Sequence, residues 1–153
     1  MTIRVAELTD IEQLQLLYQK QLKTQQVYQP YYFKADLPAV DFLEETIKSD
    51  QAEFIVVEHE GQLIGMAALF IEETLPYECY VSHRYLNFAD LYVEEGFRNK
   101  GLGKELIENV KKWGKEKKVD YIELLVLREN SKAQALYLKE SFETVHSVMR
   151  YKL

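Results

Sequence analysis

Cysteine is almost missing: Cys79 is the only one in 153 residues. A single thiol can form no internal disulfide and no cysteine-based metal cluster, and with no partner motif around it Cys79 reads as an inert thiol. Proline and glycine are sparse, at three and six residues, which leaves no room for a low-complexity linker. No stretch of about 18 apolar residues is present, and Met1 to Val5 enters a strand-like segment without an apolar signal sequence. A cytoplasmic protein with no membrane contact is expected. Lysine and arginine, 19 in all, are outnumbered by 25 acidic residues, for a formal net charge of -6. Neutralising nucleic-acid phosphates takes the opposite balance, so nucleic acid is not an expected partner. A cationic substrate fits this charge better. His59, His83 and His146 lack metal-ligand spacing, and no metal is expected.

Hydrophobic residues make up 47% and charged residues 29% of the chain, the balance of an ordinary globular protein. One core can form at this length without staples, so residues 1–153 are expected to be a single domain. Thr2 to Leu8 alternates like a strand. Thr9-Asp10 then offers a helix cap before Ile11, Leu14, Leu17, Tyr18 and Leu22 recur at helical spacing. Gln25 to Pro38, rich in Gln, Tyr and Pro without a steady period, reads as a loop or broken helix, and Val40 to Ser49 as a second helix. Glu53–Glu58 and Leu63–Ile71 are apolar and β-branched, with Glu60-Gly61 between them as a hairpin turn. Glu72 to Tyr85 holds Pro76 and clustered tyrosines, a loop on the substrate side. Leu86–Val93 is nearly continuous in apolar character, like a buried central strand. Gly101–Lys117 is an amphipathic helix, Tyr121–Leu127 a strand, Ser131–Glu140 a helix and Glu143–Leu153 a closing hairpin or strand pair. The expected class is α/β (α+β), a mixed central sheet of six or seven strands with helices on both faces.

The segment from Val93 to Gly103 reads V-E-E-G-F-R-N-K-G-L-G: a buried strand, a short turn, then a long helix. The first turn of a helix has backbone N–H groups without intrahelical partners and carries the positive end of the helix dipole. A pyrophosphate can accept those bonds. Gly101 and Gly103 let the backbone approach phosphate oxygens, and Arg98 and Lys100 add positive charge.

With Arg98, Gly101 and Gly103 in the pattern Arg-x-x-Gly-x-Gly, after Asp90-Leu91-Tyr92-Val93, this segment resembles motif A of the GNAT superfamily of N-acetyltransferases. Leu124-Leu125-Val126, followed by Asn130, Ala133, Leu136, Tyr137 and Phe142, is similar to that family's next strand and helix, written Asn-x-x-Ala-x-x-Leu-Tyr. The resemblance covers at least residues 86 to 142. It implies the order strand, two helices, three strands, helix, strand, helix and two closing strands. Two positions depart from it. Ser141 stands where a glycine commonly precedes the Phe, and Ala89 stands where polyamine acetyltransferases often carry a glutamate, which bears on the substrate.

The resemblance implies acetyl-CoA as cofactor. Its pantetheine arm would lie along the central strand on the backbone of Leu91, Tyr92 and Val93, and its pyrophosphate on Arg98, Asn99, Lys100, Gly101, Leu102 and Gly103. The Leu91 and Val93 side chains would pack into the core at the same time. Asn130 would contact the cofactor or cap the helix that begins at Ser131. Tyr137 would also touch the cofactor, as the phenol that protonates the departing thiolate. The attacking amine must lose a proton, and Asp90 is the leading candidate base; Glu53, Glu78 and Asn87 are weaker candidates, and bulk water is another route. Alternation along the strand can equally turn Asp90 away from the cleft into a structural pairing. Glu94 and Glu95 would repel phosphate and read as solvated turn residues. Tyr28, Tyr31, Tyr32 and Phe33 cluster in the region that covers the acceptor in relatives, where ring faces hold a cation or simply pack.

The expected activity is direct transfer of acetyl from acetyl-CoA to a primary amine. The charge and the aromatic loop favour a small cationic acceptor such as a polyamine or aminoglycoside. A protein N-terminus or lysine is the alternative acceptor, and a non-catalytic acyl-CoA-binding sensor is the alternative outside enzymes. Cys79 lies outside the motif and no Ser or Cys is matched to a His, so a covalent acetyl-enzyme is not expected. A homodimer is left open.

Overall fold

The computed structural model of the protein describes residues 1–153. Strand β1 (Thr2–Val5) and a single 3-10 turn lead into helices α1 (Ile11–Tyr28) and α2 (Val40–Lys48). Strands β2 (Ala52–His59), β3 (Gln62–Glu73) and β4 (Arg84–Val93) follow, and α3 (Leu102–Glu116), β5 (Ile122–Glu123) and α4 (Ser131–Lys139) complete the order. The strands lie side by side in sequence order. All neighbours are antiparallel except β4 and β5. The β2–β3 turn is the one foreseen: Glu60 and Gly61 have φ of 51° and 76°, the two positive angles of a type I′ turn, whose twist suits a hairpin.

Alternation on β2 divides the core in two. Phe54 and Val56 face α1 and α2, where they meet Leu14, Leu17 and Leu43 together with Met66 and Ala68 of β3. Ile55 and Val57 face α3, and pack with Leu69, Leu86, Phe88, Leu106, Ile107 and Val110. Helices therefore cover both faces, and β4, which carries the motif, is held between them. Because these interiors are close-packed, truncating a fully buried side chain such as Leu106→Ala would cost about 2–5 kcal/mol.

The structure departs from expectation at four places. Five strands form rather than six or seven: Glu143–Leu153 joins no sheet. Its residues alternate as a strand's do, but a strand also needs a backbone partner, and none of its backbone groups bonds to another in the chain. β5 is two residues long rather than seven, because β4 and β5 pair only at Leu86–Ile122 and Asn87–Glu123 before they part. Helix α1 runs on to Tyr28, taking in the first four residues of the stretch Gln25 to Pro38 read as a loop or broken helix; the rest of that stretch is non-helical. Gln, Lys and Thr are acceptable inside a helix when its other residues pack, and it is Pro30 that disfavours continuation. Asp10 also does other work than capping α1: its carboxylate accepts from Arg4 at 2.7 and 2.9 Å and from the Glu7 N–H at 2.8 Å.

Candidate active site

A bulge in β4 sets the chemistry of the site. Ala68 of β3 lies opposite Asp90, and the next residue, Leu69, lies opposite Phe88; Ala89 is therefore an extra residue, and the alternation of β4 changes phase there. Before the bulge Leu86 and Phe88 pack on the α3 side, and after it Leu91 and Val93 do. Ala89 and Tyr92 pack on the α1 side. Asp90 goes with them.

On that side the Tyr18 hydroxyl of α1 donates to Asp90 Oδ2, and the Gln21 amide lies beside the same carboxylate. Gln21 is buried, and its Oε1 has no hydrogen-bond partner, an unusual state for a buried polar atom. Burial pushes the Asp90 carboxyl above the usual carboxylate range, while the hydrogen bonds from Tyr18 and Gln21 pull the other way. Burial first, and then the Asp90 charge, raise the Tyr18 phenol. Tyr18 and Gln21 were not singled out as site residues from the sequence. A Tyr and a Gln among Leu14 and Leu17 on the buried face of α1 were the available signal, since polar groups in a core stripe need partners.

Beyond Asn87 no residue of β5 pairs with β4. One edge of β4 therefore faces a cleft whose other wall is the chain after Glu123. Leu91 and Val93 lie on this edge strand, their side chains in the α3-side core. Tyr137 comes to the cleft from α4. Its ring stands edge-on to Phe88 at 6.1 Å and to Phe142 at 5.7 Å. Burial, and then the charge of Asp90, raise its phenol above the ordinary value. Asp90 and Tyr137 are thus brought within electrostatic reach of each other from opposite sides of the sheet.

The turn read as a phosphate cradle is tightly bent. Asn99 and Gly101 have φ of 62° and 86°, left-handed angles that bend the chain into the start of α3. The first backbone bond of α3 is Glu105 N–H to Gly101 O at 3.1 Å; no backbone N–H from Asn99 to Lys104 donates to another backbone group. Such a run of free donors at a helix N-terminus is suited to an anion. Leu102, the first residue of α3, is buried in the core between that helix and the sheet. Arg98 folds back, its Nε donating to Val93 O at 2.8 Å and its guanidinium 5.5 Å from the Tyr92 ring centre, and Lys100 lies 5.0 Å from the Phe97 ring centre. Gly103 is also bare for a packing reason: a Cβ there would meet Leu136 Cδ2 at 3.1 Å, so the glycine lets α3 approach α4 beside Tyr137. Asn130 caps α4, its Oδ1 accepting from the Ala133 N–H at 3.2 Å.

The weaker base candidates lie elsewhere or are engaged. Asn87 donates to Glu72 at 2.8 Å, Glu53 sits with Trp113 on the α3 face, and Glu78 is exposed in the loop after β3. Glu94, read as a solvated turn residue, is ion-paired with Lys20, whereas Glu95 is exposed. His59 stacks edge-on against Phe97 and His83 bonds Asp120 at 3.0 Å. In the aromatic cluster, Tyr31 and Tyr32 already hold cations: Arg150 lies 3.8 Å from the Tyr32 ring centre and Lys152 4.1 Å from that of Tyr31.

Known proteins of the same shape are acetyltransferases in several cases. A point mutant of the BH1408 protein from Bacillus halodurans superposes with a TM-score of 0.92 at 21% identity, covering 100% of this chain and 99% of that one. The aminoglycoside N-acetyltransferase AAC(6')-Iy in complex with CoA gives a TM-score of 0.73 at 22% identity, over 99% and 98% of the two chains. Ribosomal-protein-alanine N-acetyltransferase from Brucella melitensis biovar Abortus 2308 gives 0.69 at 19%, over the same shares. No curated protein sequence matches significantly. The sequence profile of the acetyltransferase (GNAT) family matches residues 13–142, which span the bulged strand, the cradle and α4; the chain belongs to that family and is an acetyl-CoA-dependent N-acetyltransferase.

Proposed function

We propose that the protein acetylates the primary amine of a small cationic molecule by direct attack within a ternary complex, with Asp90 as base and Tyr137 as hydrogen-bond donor to the leaving sulfur. When bound, acetyl-CoA supplies an acetyl thioester, whose acyl carbon an amine can attack once it is neutral. The free N–H groups of Asn99 to Lys104 would hold its pyrophosphate, and the unpaired edge of β4 at Leu91, Tyr92 and Val93 its pantetheine arm, with Asn130 fixing the loop beside it. Asp90 takes the ammonium proton. Its raised pKa makes it a stronger base than an ordinary carboxylate, closer to the neutral range where a general base works best. Tyr137 keeps its proton at neutral pH and offers it to the developing negative charge on sulfur.

The observation that carries this reading is the bulge at Ala89, because it turns a buried carboxylate toward α1 in the same strand whose edge opens the cleft. A cationic acceptor is favoured by the net charge of -6 and by ring faces at Tyr31 and Tyr32 that the chain's own Arg150 and Lys152 occupy. AAC(6')-Iy, which shares the fold, has been captured with a bisubstrate analogue of CoA and acetylneamine. A thiol-release assay with a polyamine, an aminoglycoside and amine-bearing peptides tests the proposal. Turnover is expected with the small amines; turnover confined to the peptides would overturn the small-molecule assignment.

A further inference from the structure

Leu14, Leu17, Tyr18 and Gln21 form the buried stripe of α1, three and four residues apart as one side of a helix requires. The leucines pack in the core and Tyr18 donates to Asp90. Gln21 has no such use. It is only 7% exposed, and its Oε1 is the one buried side-chain oxygen or nitrogen in the chain without a hydrogen-bond partner, where buried acceptors are nearly always satisfied. The hydroxyls one turn to either side are engaged elsewhere: Tyr18 gives its single proton to Asp90, and Thr24 gives its own to Lys20 O at 3.2 Å. Tyr18 is not free to turn, because Phe42 and Phe54 stand edge-on to its ring at 6.4 and 6.2 Å.

The same amide adjoins the Asp90 carboxylate, and Ala89, Asp90, Leu91 and Tyr92 of β4 keep partial exposure. A molecule that brings a nitrogen to Asp90 along this strand therefore brings it to Gln21 as well. A primary ammonium has three N–H donors and no acceptor of its own. In the net reaction one C–N bond forms and one C–S bond breaks. One ammonium proton goes to Asp90, one ends on the leaving sulfur, and the third stays on the nitrogen of the amide product.

With Asp90 as the base proposed for the reaction, we infer that Gln21 Oε1 accepts the N–H that stays on the acceptor nitrogen throughout acetyl transfer. Contacts to Gln21 and Asp90 fix two of the three N–H directions, so the lone pair freed when Asp90 takes its proton is already oriented. An amide oxygen suits this position because it accepts the bond without taking the proton; a second carboxylate would compete with Asp90 for it. The nitrogen gains positive charge as the C–N bond forms, so the bond to Oε1 tightens toward the transition state. Gln21 thereby selects primary amines. An N-methyl amine has no N–H left after transfer, and its methyl group would leave Oε1 buried and unpaired.

Two acceptors test this: dimethylaminobutylamine, a dication with one primary amine and one tertiary nitrogen that cannot form an amide, and its N-methyl derivative, in which the primary amine becomes secondary. Wild type should prefer the primary amine in kcat/KM. Gln21→Met keeps the side-chain volume and removes the acceptor, so that preference should narrow by roughly 10–100-fold, the worth of one hydrogen bond to a charged group. Gln21→Glu keeps an acceptor oxygen and should retain more of the preference than Gln21→Met. Damage to the fold, or loss of the Gln21 contact to Asp90, would lower both rates alike and leave their ratio in place. An unchanged ratio in Gln21→Met therefore overturns the inference, as does a ratio that Gln21→Glu loses equally. Asp90→Asn with full activity overturns the proposed base and this role of Gln21 together, whereas an inactive Asp90→Asn beside an unchanged Gln21→Met ratio overturns the role of Gln21 alone. Turnover of neither amine by wild type overturns the acceptor class on which both rest.

Discussion

The Tyr18 hydroxyl donates to Asp90 Oδ2, tying the buried face of α1 to the bulged centre of β4. This hydrogen bond stabilises the ionised carboxylate against the burial that disfavours it. Tyr18→Phe removes the donor, so the Asp90 pKa rises further and the acid limb of kcat/KM moves to higher pH. A pH-rate profile that stays in place would show that Asp90 is not the titrating base.

Asp90→Asn separates catalysis from stability. A carboxyl whose pKa is raised by folding favours the folded state when protonated, and that contribution is lost as pH rises from the ordinary carboxylate range through the raised value. Above that window the wild type carries an unfavourable buried charge that the variant lacks. At neutral pH Asp90→Asn should therefore melt no lower than wild type, while kcat falls about 10²–10⁴-fold. Parallel loss of activity and melting temperature would make Asp90 a structural residue.

Tyr137→Phe removes a proton donor and keeps the ring that packs between Phe88 and Phe142. We expect kcat to drop by about 10²-fold or more, with CoA affinity nearly unchanged in a calorimetric titration. A large loss of CoA affinity with kcat preserved would assign Tyr137 to binding instead.

The two glycines of the cradle should fail in different ways. Gly101→Ala places a side chain at φ 86° with only Glu105 Oε1 near it, at an ordinary contact of 3.8 Å, so the cost is backbone strain of about 1 kcal/mol and a loop less ready for phosphate. Gly103→Ala pushes on Leu136 and shifts α4, so its effect should appear in kcat through Tyr137. Equal effects of both on CoA affinity alone would refute this division.

Ser141 has φ of 68°, the angle that a glycine accepts without strain. Ser141→Gly should stabilise the protein by up to about 1 kcal/mol, raising Tm by roughly 2–4 °C. A lower Tm would mean that the added freedom of the unfolded chain outweighs the relief.

The cradle was legible in the sequence because its signals are local: two glycines, a basic turn and the first residues of an amphipathic helix all lie within Arg98–Leu106. The direction of Asp90 was not, because it depends on how β3 registers against Phe88 and Asp90, a non-local pairing that alternation in β4 alone leaves open. For the same reason Tyr18 and Gln21 looked like ordinary members of a helix face until β4 was placed across from them. Glu143–Leu153 shows the converse case. It was expected as a closing hairpin or strand pair and joins no sheet, because pattern gives no information about whether a partner strand exists in the same chain.

The most direct test of the account is an initial-rate study of thiol release in which acetyl-CoA and a small cationic amine are varied together. The account predicts that thiol appears only when both are present, in step with one N-acetylated amine per thiol and with intersecting double-reciprocal lines. A burst of thiol from acetyl-CoA before any amine is added would contradict it.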